Sequence, residues 1–256
     1  MNVLDLYKLL PKTNCGECPQ KRCMAFAIRL KTDQDGLNEC RYLSPERIEE
    51  IRSMLKEGDW RDGLIESLQR EIQGLKLSEI GSNIGAIIRD QSIEIRCIGQ
   101  DYIIDNNGKI TPEPSNKWIS ILLLHYIRNH GKGDLTGEWA SFSEFKGGLV
   151  KASTFERDCE RPLKELFDEL RERIDPIIER LGGSPINGMP ADKAWMIDLL
   201  PRVRILILYS RGDEEFPSSL KIVFDRITGN FLDVESIVFL LEGFVHTIRS
   251  ISRRSA

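Results

Sequence analysis

The sequence predicts an α+β protein, in which a small cysteine-rich helical domain precedes a larger mixed domain. Three observations carry that expectation. Four of the six cysteines fall within the first 40 positions. Residues 93–98 and 101–105 are rich in β-branched and apolar side chains and read as strands. Segments 117–129, 162–181 and 234–251 instead place apolar residues at helical spacing.

In chain order, Leu4, Leu6, Tyr7, Leu9 and Leu10 form a short helical pattern that stops at Pro11, where a backbone donor is lost. The cysteine loop starts at once. Residues 24–31 are strong helix formers with one apolar side, and Asp33-Gln34-Asp35-Gly36 breaks the pattern ahead of Cys40. Ser44-Pro45-Glu46-Arg47 reads as a helix start, with serine as N-cap and proline at the first helical position. A first domain is therefore expected over 1–45 and a second over 46–256, with this helix as the link.

Within the second, Asn106-Asn107-Gly108-Lys109 marks the turn of a hairpin or meander. Lys117–Asn129 reads as a buried helix. Pro162–Leu181 reads as an amphipathic helix ended by Gly182-Gly183, with a kink from Pro176. Met196–Leu200 and Arg204–Tyr209 read as strands, and Val234–Ile251 as a last helix.

Composition narrows the function. At 41% hydrophobic and 30% charged residues, 256 positions suffice for a real core. A formal charge of −4 argues against a phosphate-backbone partner, so no nucleic acid is expected. Arg249, Arg253 and Arg254 read as a solvated helix end. The apolar stretches at 118–126 and 203–209 fall short of the roughly 20 residues that a membrane span needs. The opening Met1-Asn2-Val3-Leu4-Asp5 lacks the pattern of a secretory signal, which points to the cytoplasm. A reducing compartment makes clustered cysteines better metal ligands than disulfide partners.

Cys15, Cys18, Cys23 and Cys40 have the spacing Cys-x2-Cys-x4-Cys-x16-Cys. A 4Fe-4S cubane offers four iron corners, each taking one thiolate; one tight loop can supply three and a returning segment the fourth. Structural zinc competes, although its ligands more often come as two short-spaced pairs. Redox or structural thiols are the remaining option. Gly16 allows the loop to turn where a side chain would resist, and Pro19 limits competing conformations.

Residues 6–18, from Leu6-Tyr7-Lys8-Leu9-Leu10-Pro11 through Cys15-Gly16-Glu17-Cys18, with Cys23-Met24-Ala25-Phe26-Ala27 and Cys40-Arg41-Tyr42-Leu43, closely resemble the 4Fe-4S module of the corrinoid iron-sulfur protein large subunit. That family belongs to the acetyl-CoA synthase and decarbonylase system. The resemblance implies that Cys15, Cys18, Cys23 and Cys40 are ligands of one 4Fe-4S cluster, and it covers about the first 45 residues. Nothing in 46–256 resembles the barrel and corrinoid-binding domain of that subunit. Phe142-Ser143-Glu144-Phe145, Pro162-Leu163, residues 212–217 and Phe224-Asp225 look instead like an uncharacterised domain fused behind such modules in anaerobes.

Lys12, Lys21 and Arg22 are candidates for tuning a negatively charged cluster, or plain solubilising charges. His125 and His130, five apart and so roughly 140° round a helix, are badly placed to share a metal. His246 reads as a packed side chain. Asp213-Glu214-Glu215 is either a solvated turn or a cation-binding loop, with Phe216-Pro217 beside it expected to pack. Trp118, Trp139 and Trp195 with Phe142, Phe145 and Phe155 read first as core and second as a flat-cofactor pocket. Cys97 and Cys159 read as structural thiols. No phosphate loop, dinucleotide fingerprint or nucleophile elbow occurs, so no catalytic motif is found.

Three functions are open on these grounds. The first is electron transfer to a redox partner protein, such as a corrinoid protein, in anaerobic corrinoid or one-carbon metabolism. In the second, the larger domain is a cluster-dependent enzyme or cofactor-binding unit. In the third, a cluster or zinc ion serves as a structural clip on an interaction module.

Overall fold

The computed structural model describes residues 3–30, 34–56 and 60–254. The chain divides into two compact units, Met1–Gly63 and Leu64–Ala256. The first is helical: α1 (Val3–Leu9), α2 (Cys23–Leu30), a 3-10 segment (Gln34–Glu39) and α3 (Pro45–Lys56). Sequence placed α3 outside this domain, as a link. Ile51 and Leu55 of α3 are buried in the same small core as Leu6, Phe26, Leu30 and Leu37, so the unit extends past residue 45. Its N-terminus is capped as expected, with the Arg47 N–H donating to the Ser44 hydroxyl at 3.2 Å. The division falls within α4 (Trp60–Ile72).

The second unit is mixed helix and sheet, as the class predicts. After α5 (Leu77–Ile80), strands β1 (Ile87–Arg89), β2 (Ser92–Cys97), β3 (Gln100–Asp105) and β4 (Ile110–Thr111) form an antiparallel meander. On β2 the period of two turns Ile93, Ile95 and Cys97 into the core. The β3–β4 turn is held by Asp105, whose carboxylate accepts from Asn107 N–H at 2.8 Å and Lys109 N–H at 2.9 Å. Gly108 there sits at φ +75°, and a Cβ would press on Gln69 at 2.9 Å, so only glycine fits.

A second, five-stranded antiparallel sheet has the order β5-β9-β8-β7-β6, where β5 is Trp139–Ser141, β6 Ser184–Pro185, β7 Lys193–Leu200, β8 Val203–Ser210 and β9 Ser219–Asp225. The further α-helices of this unit are α6 (Lys117–Asn129), α7 (Gly148–Phe155), α8 (Arg161–Leu170), α9 (Ile174–Arg180) and α10 (Val234–Arg254). Helix α8 packs on β9, and α10 packs on α6, α8 and α9. A π-helical turn, Glu156–Glu160, joins α7 to α8 and aims Glu160 at the sheet. The Glu160 carboxylate accepts from the Ile222 N–H at 3.0 Å and the Lys221 ammonium at 3.1 Å.

The helix expected over 162–181 is broken at residues 171–173. Pro176 is the physical reason, because it cannot donate to the carbonyl four residues earlier, at Glu172, and its ring crowds that carbonyl.

The edge of the sheet is tied to the 131–138 loop by Asp225, which is fully buried. Its carboxylate accepts from Thr136 N–H at 2.9 Å, Gly137 N–H at 2.7 Å, Ile227 N–H at 3.1 Å and the Thr136 hydroxyl at 2.9 Å. Burial by itself would raise its pKa; the N–H donors of Gly137, Ile227 and Thr136 outweigh that and hold the carboxyl below its ordinary value. Asp225→Ala is expected to cost about 2–4 kcal/mol in urea unfolding, since several donors lose one acceptor. The stability from this carboxylate is fully present above about pH 4 and falls as acidification passes its lower folded pKa, so the variant's deficit should shrink below that range.

Candidate metal centre

The cysteine loop gets its shape from backbone conformation. Lys12, Asn14 and Gly16 all lie at positive φ (+61°, +49° and +77°) within five positions. For the two non-glycines this is a strained region, costing on the order of 1–3 kcal/mol each, and it is retained only where surrounding contacts over-determine it. One such contact is visible: the Asn14 side-chain oxygen accepts from the Cys23 N–H at 2.9 Å. That bond satisfies an otherwise orphaned donor at the start of α2 and ties the loop to the helix.

Helix α2 buries Cys23, Phe26, Ala27 and Leu30, the i, i+3, i+4, i+7 stripe of one helix face. The 3-10 segment then turns back with Leu37 fully buried, and Cys40 follows in the rim of the same core. Arg29 braces this return. Its guanidinium donates to both carboxylate oxygens of Glu39, at 2.6 and 2.9 Å, and to Gln20 at 3.2 Å. Beyond Cys40, the Tyr42 hydroxyl donates to Glu17 at 3.0 Å, which links the two cysteine segments again.

The four thiols grade from outside to inside: Cys15 is exposed, Cys18 half-buried, and Cys23 and Cys40 are buried. None is in a disulfide. Burial pushes the Cys40 thiol up; the Tyr42 N–H offsets part of this, and negative charge on Cys18, Cys23 and Cys15 raises it further. The four are thus electrostatic neighbours. Thiolates that oppose one another's ionisation need a cationic group among them to ionise together, and that donor set fits an iron-sulfur cluster. Among the described residues, no three His, Cys, Asp or Glu side chains are arranged to hold a single metal ion.

Lys12, Lys21, Arg22 and Arg41 are exposed around the loop. Sequence reasoning singled out the first three. It missed Asn14, Arg29 and Glu39, which position the cysteines; the Arg29–Glu39 pair spans ten residues and leaves no local pattern.

Other sequence candidates are dispersed. His125 lies half-buried on α6 with the Arg128 guanidinium 3.2 Å away, and burial followed by that charge lowers its pKa. His130 is the left-handed C-cap of α6. His246 is exposed on α10. Asp213 caps its own turn, accepting from the N–H groups of Glu215 and Phe216, but the Phe216 ring is 67% exposed and does not pack as expected. The aromatics form separate core contacts: Trp118 stacks on Phe239, Phe142 on Phe155, and Trp195 meets Phe167 edge-on. Cys97 is buried and its thiol is pushed up to about 12 by desolvation. Cys159 is buried too and donates to the Val238 carbonyl.

Two family models match the chain. "Domain of unknown function (DUF3786)" covers residues 76–247, well over half of it. The chain belongs to the DUF3786 family. The second, "Putative Fe-S cluster", covers residues 10–42 and so spans all four N-terminal cysteines. This DUF3786 protein carries an Fe-S cluster module ahead of its family domain.

Curated relatives resemble the N-terminal part of the chain. The acetyl-CoA decarbonylase/synthase complex subunit gamma of Methanothermobacter thermautotrophicus is 40% identical over 55 residues, 22% of this chain and 12% of the relative. The corrinoid/iron-sulfur protein large subunit of Moorella thermoacetica is 49% identical over 41 residues, 16% of this chain and 9% of the relative. The chain therefore spans only a small part of the relatives it matches. No solved structure matches it.

The exposure gradient is testable on metal-free, reduced protein. A thiol reagent is expected to modify Cys15 first, then Cys18, then Cys23 and Cys40, with Cys97 and Cys159 reacting only on unfolding; mass mapping over time reads the order.

Proposed function

We propose that Cys15, Cys18, Cys23 and Cys40 hold one 4Fe-4S cluster, and that the protein is a one-electron carrier in anaerobic corrinoid or one-carbon metabolism. The observation that carries this reading is the grouping of four thiols outside any disulfide, of which Cys23 and Cys40 are buried in one small core, Cys18 packs against it, and Cys40 feels the charge of the other three. A cluster bound there would supply reversible uptake of a single electron.

The chain's own residues define the rest. Cys23 and Cys40, set in the core, fix two corners and exclude water from them, while Cys15 leaves one edge open to solvent for exchange with a docked protein. Lys12, Lys21, Arg22 and Arg41 place positive charge around that edge and favour the more negative, reduced form. The partner we favour is a corrinoid protein, because the relatives of the module are named as subunits of a corrinoid-linked system. One electron from a low-potential donor would pass through the module to reactivate an oxidised corrinoid. Such a carrier would work in the cytoplasm; among the described residues no helix is long and apolar enough to cross a membrane.

Protein purified without oxygen is expected to contain iron and sulfide in equal amounts, about four of each per chain, and to bleach on reduction with dithionite. Serine at any one of the four cysteines should lower cluster content and change the electron paramagnetic resonance signal of the reduced protein. A colourless protein holding one zinc, or wild-type content in all four variants, would sink the proposal. Failure of the reduced holoprotein to reduce any corrinoid protein of the same cell would sink the choice of partner alone.

A further inference from the structure

The second unit contains a cleft of about 560 Å³ that the cysteine chemistry does not use. Its floor is apolar, made by Phe167 and Trp195, and its walls carry charge. Nearly all of that charge is matched within the protein. Lys193 lies between Glu172 at 2.6 Å and Asp175 at 2.7 Å, and Arg211 also pairs with Glu172. Asp168 accepts from the Tyr209 hydroxyl at 2.7 Å, the Ser218 hydroxyl at 2.8 Å and the Lys164 ammonium at 2.9 Å. Burial would raise the Asp168 pKa, but these three donors outweigh it and hold the carboxylate below its ordinary range.

Arg171 is the exception. It lines the cleft and is exposed, and among the described residues its guanidinium has no hydrogen-bond or ion-pair partner. Its charge is felt at the Tyr209 phenol, whose pKa burial and the Asp168 hydrogen bond push up to about 12 while Arg211 and Arg171 pull against them.

The backbone of Arg171 adds an independent observation. It lies at φ +50°, ψ −120°, the conformation of the first central residue of a type II′ turn, where glycine is at ease and a side chain is not. Pro176 accounts for a break in the helix here, but not for an arginine at the position that glycine would occupy without strain. What arginine supplies is a forked, permanently charged donor at the mouth of a cleft whose other charges are already paired.

We propose that this cleft binds a small organic anion whose oxyanion group, carboxylate or phosphate, pairs with the Arg171 guanidinium, while the rest of the molecule lies over the Phe167–Trp195 floor beside Tyr209 and Ser218. The balance of charge supports one anionic group per ligand, and the hydroxyls of Tyr209 and Ser218 retain acceptor capacity for a polar substituent. The cleft is lined by residues of the second unit.

The test is calorimetric titration of the full chain with benzoate, phenyl phosphate and inorganic phosphate. Binding of at least one probe with a dissociation constant of about 1 mM or tighter is expected. Benzoate alone would identify a carboxylate ligand, phenyl phosphate alone a phosphate monoester, and inorganic phosphate a free-phosphate site. Arg171→Gln should weaken that probe about tenfold or more, as loss of a charged hydrogen-bond pair does. Arg171→Gly should lose the same affinity and yet melt at a higher temperature, because the backbone strain is relieved. Wild-type affinity in either variant, or no binding of any probe at about 10 mM, overturns the proposal.

Discussion

Everything in the N-terminal unit depends on one constraint, the burial of a few apolar side chains that share their core with two of the thiols. Leu6, Phe26, Leu30, Leu37 and Ile51 are at most 1% exposed, and each such burial stabilises by about 1.5–3 kcal/mol. The Arg29–Glu39 pair, with its side chains 27% and 36% exposed, contributes at most about 1 kcal/mol after solvent screening. The core therefore holds the segments together, and the ion pair selects the register in which the 3-10 turn comes back. Cys40 reaches the loop because Leu37, three residues before it, has to be buried.

That arrangement also explains why the cysteines differ. A core of eleven buried residues among those described is too small to enclose four thiols and a loop of strained backbone, so the loop stays outside and only the residues on helix and turn enter. The resulting asymmetry leaves two thiols shielded and one open to solvent, and under the proposed cluster that open side is where a partner could approach closely.

Much of this could be read from residue order. Cys-x2-Cys-x4-Cys-x16-Cys located the centre, the Ser44-Pro45 start gave α3, and Lys117–Asn129 matches α6 at both ends because Asn116 caps it and the apolar run stops at His130. Strand β2 followed from strict alternation, and β3 from its run of Tyr102, Ile103 and Ile104 ahead of a turn. The rest depended on partners distant in the chain. Asp225 looks like any strand-end acid until residues 136 and 137 fold onto it from nearly ninety positions away. Ser219–Asp225, a strand that the sequence reading does not place, turns Leu220, Ile222 and Phe224 inward and leaves Ser219 and Lys221 outside. The boundary at 45 failed to include α3 because capping shows where a helix starts, whereas its allegiance is decided by the core it enters.

The second unit poses the opposite case, in which a local rule is broken and the fold pays for it. Native stability is a margin of about 5–15 kcal/mol, so backbone strain of about 1–3 kcal/mol at Arg171 is a sizeable share of it. Strain of this kind can be forced by packing, as when a buried side chain has only one place to go. Arg171 is exposed and, among the described residues, its guanidinium has no hydrogen-bond or ion-pair partner, so its own side chain does not force the conformation. Substitution by glycine would remove the cost and forfeit nothing but the guanidinium. The proposed anion would give that guanidinium a partner at a cleft whose other charges are already paired within the protein.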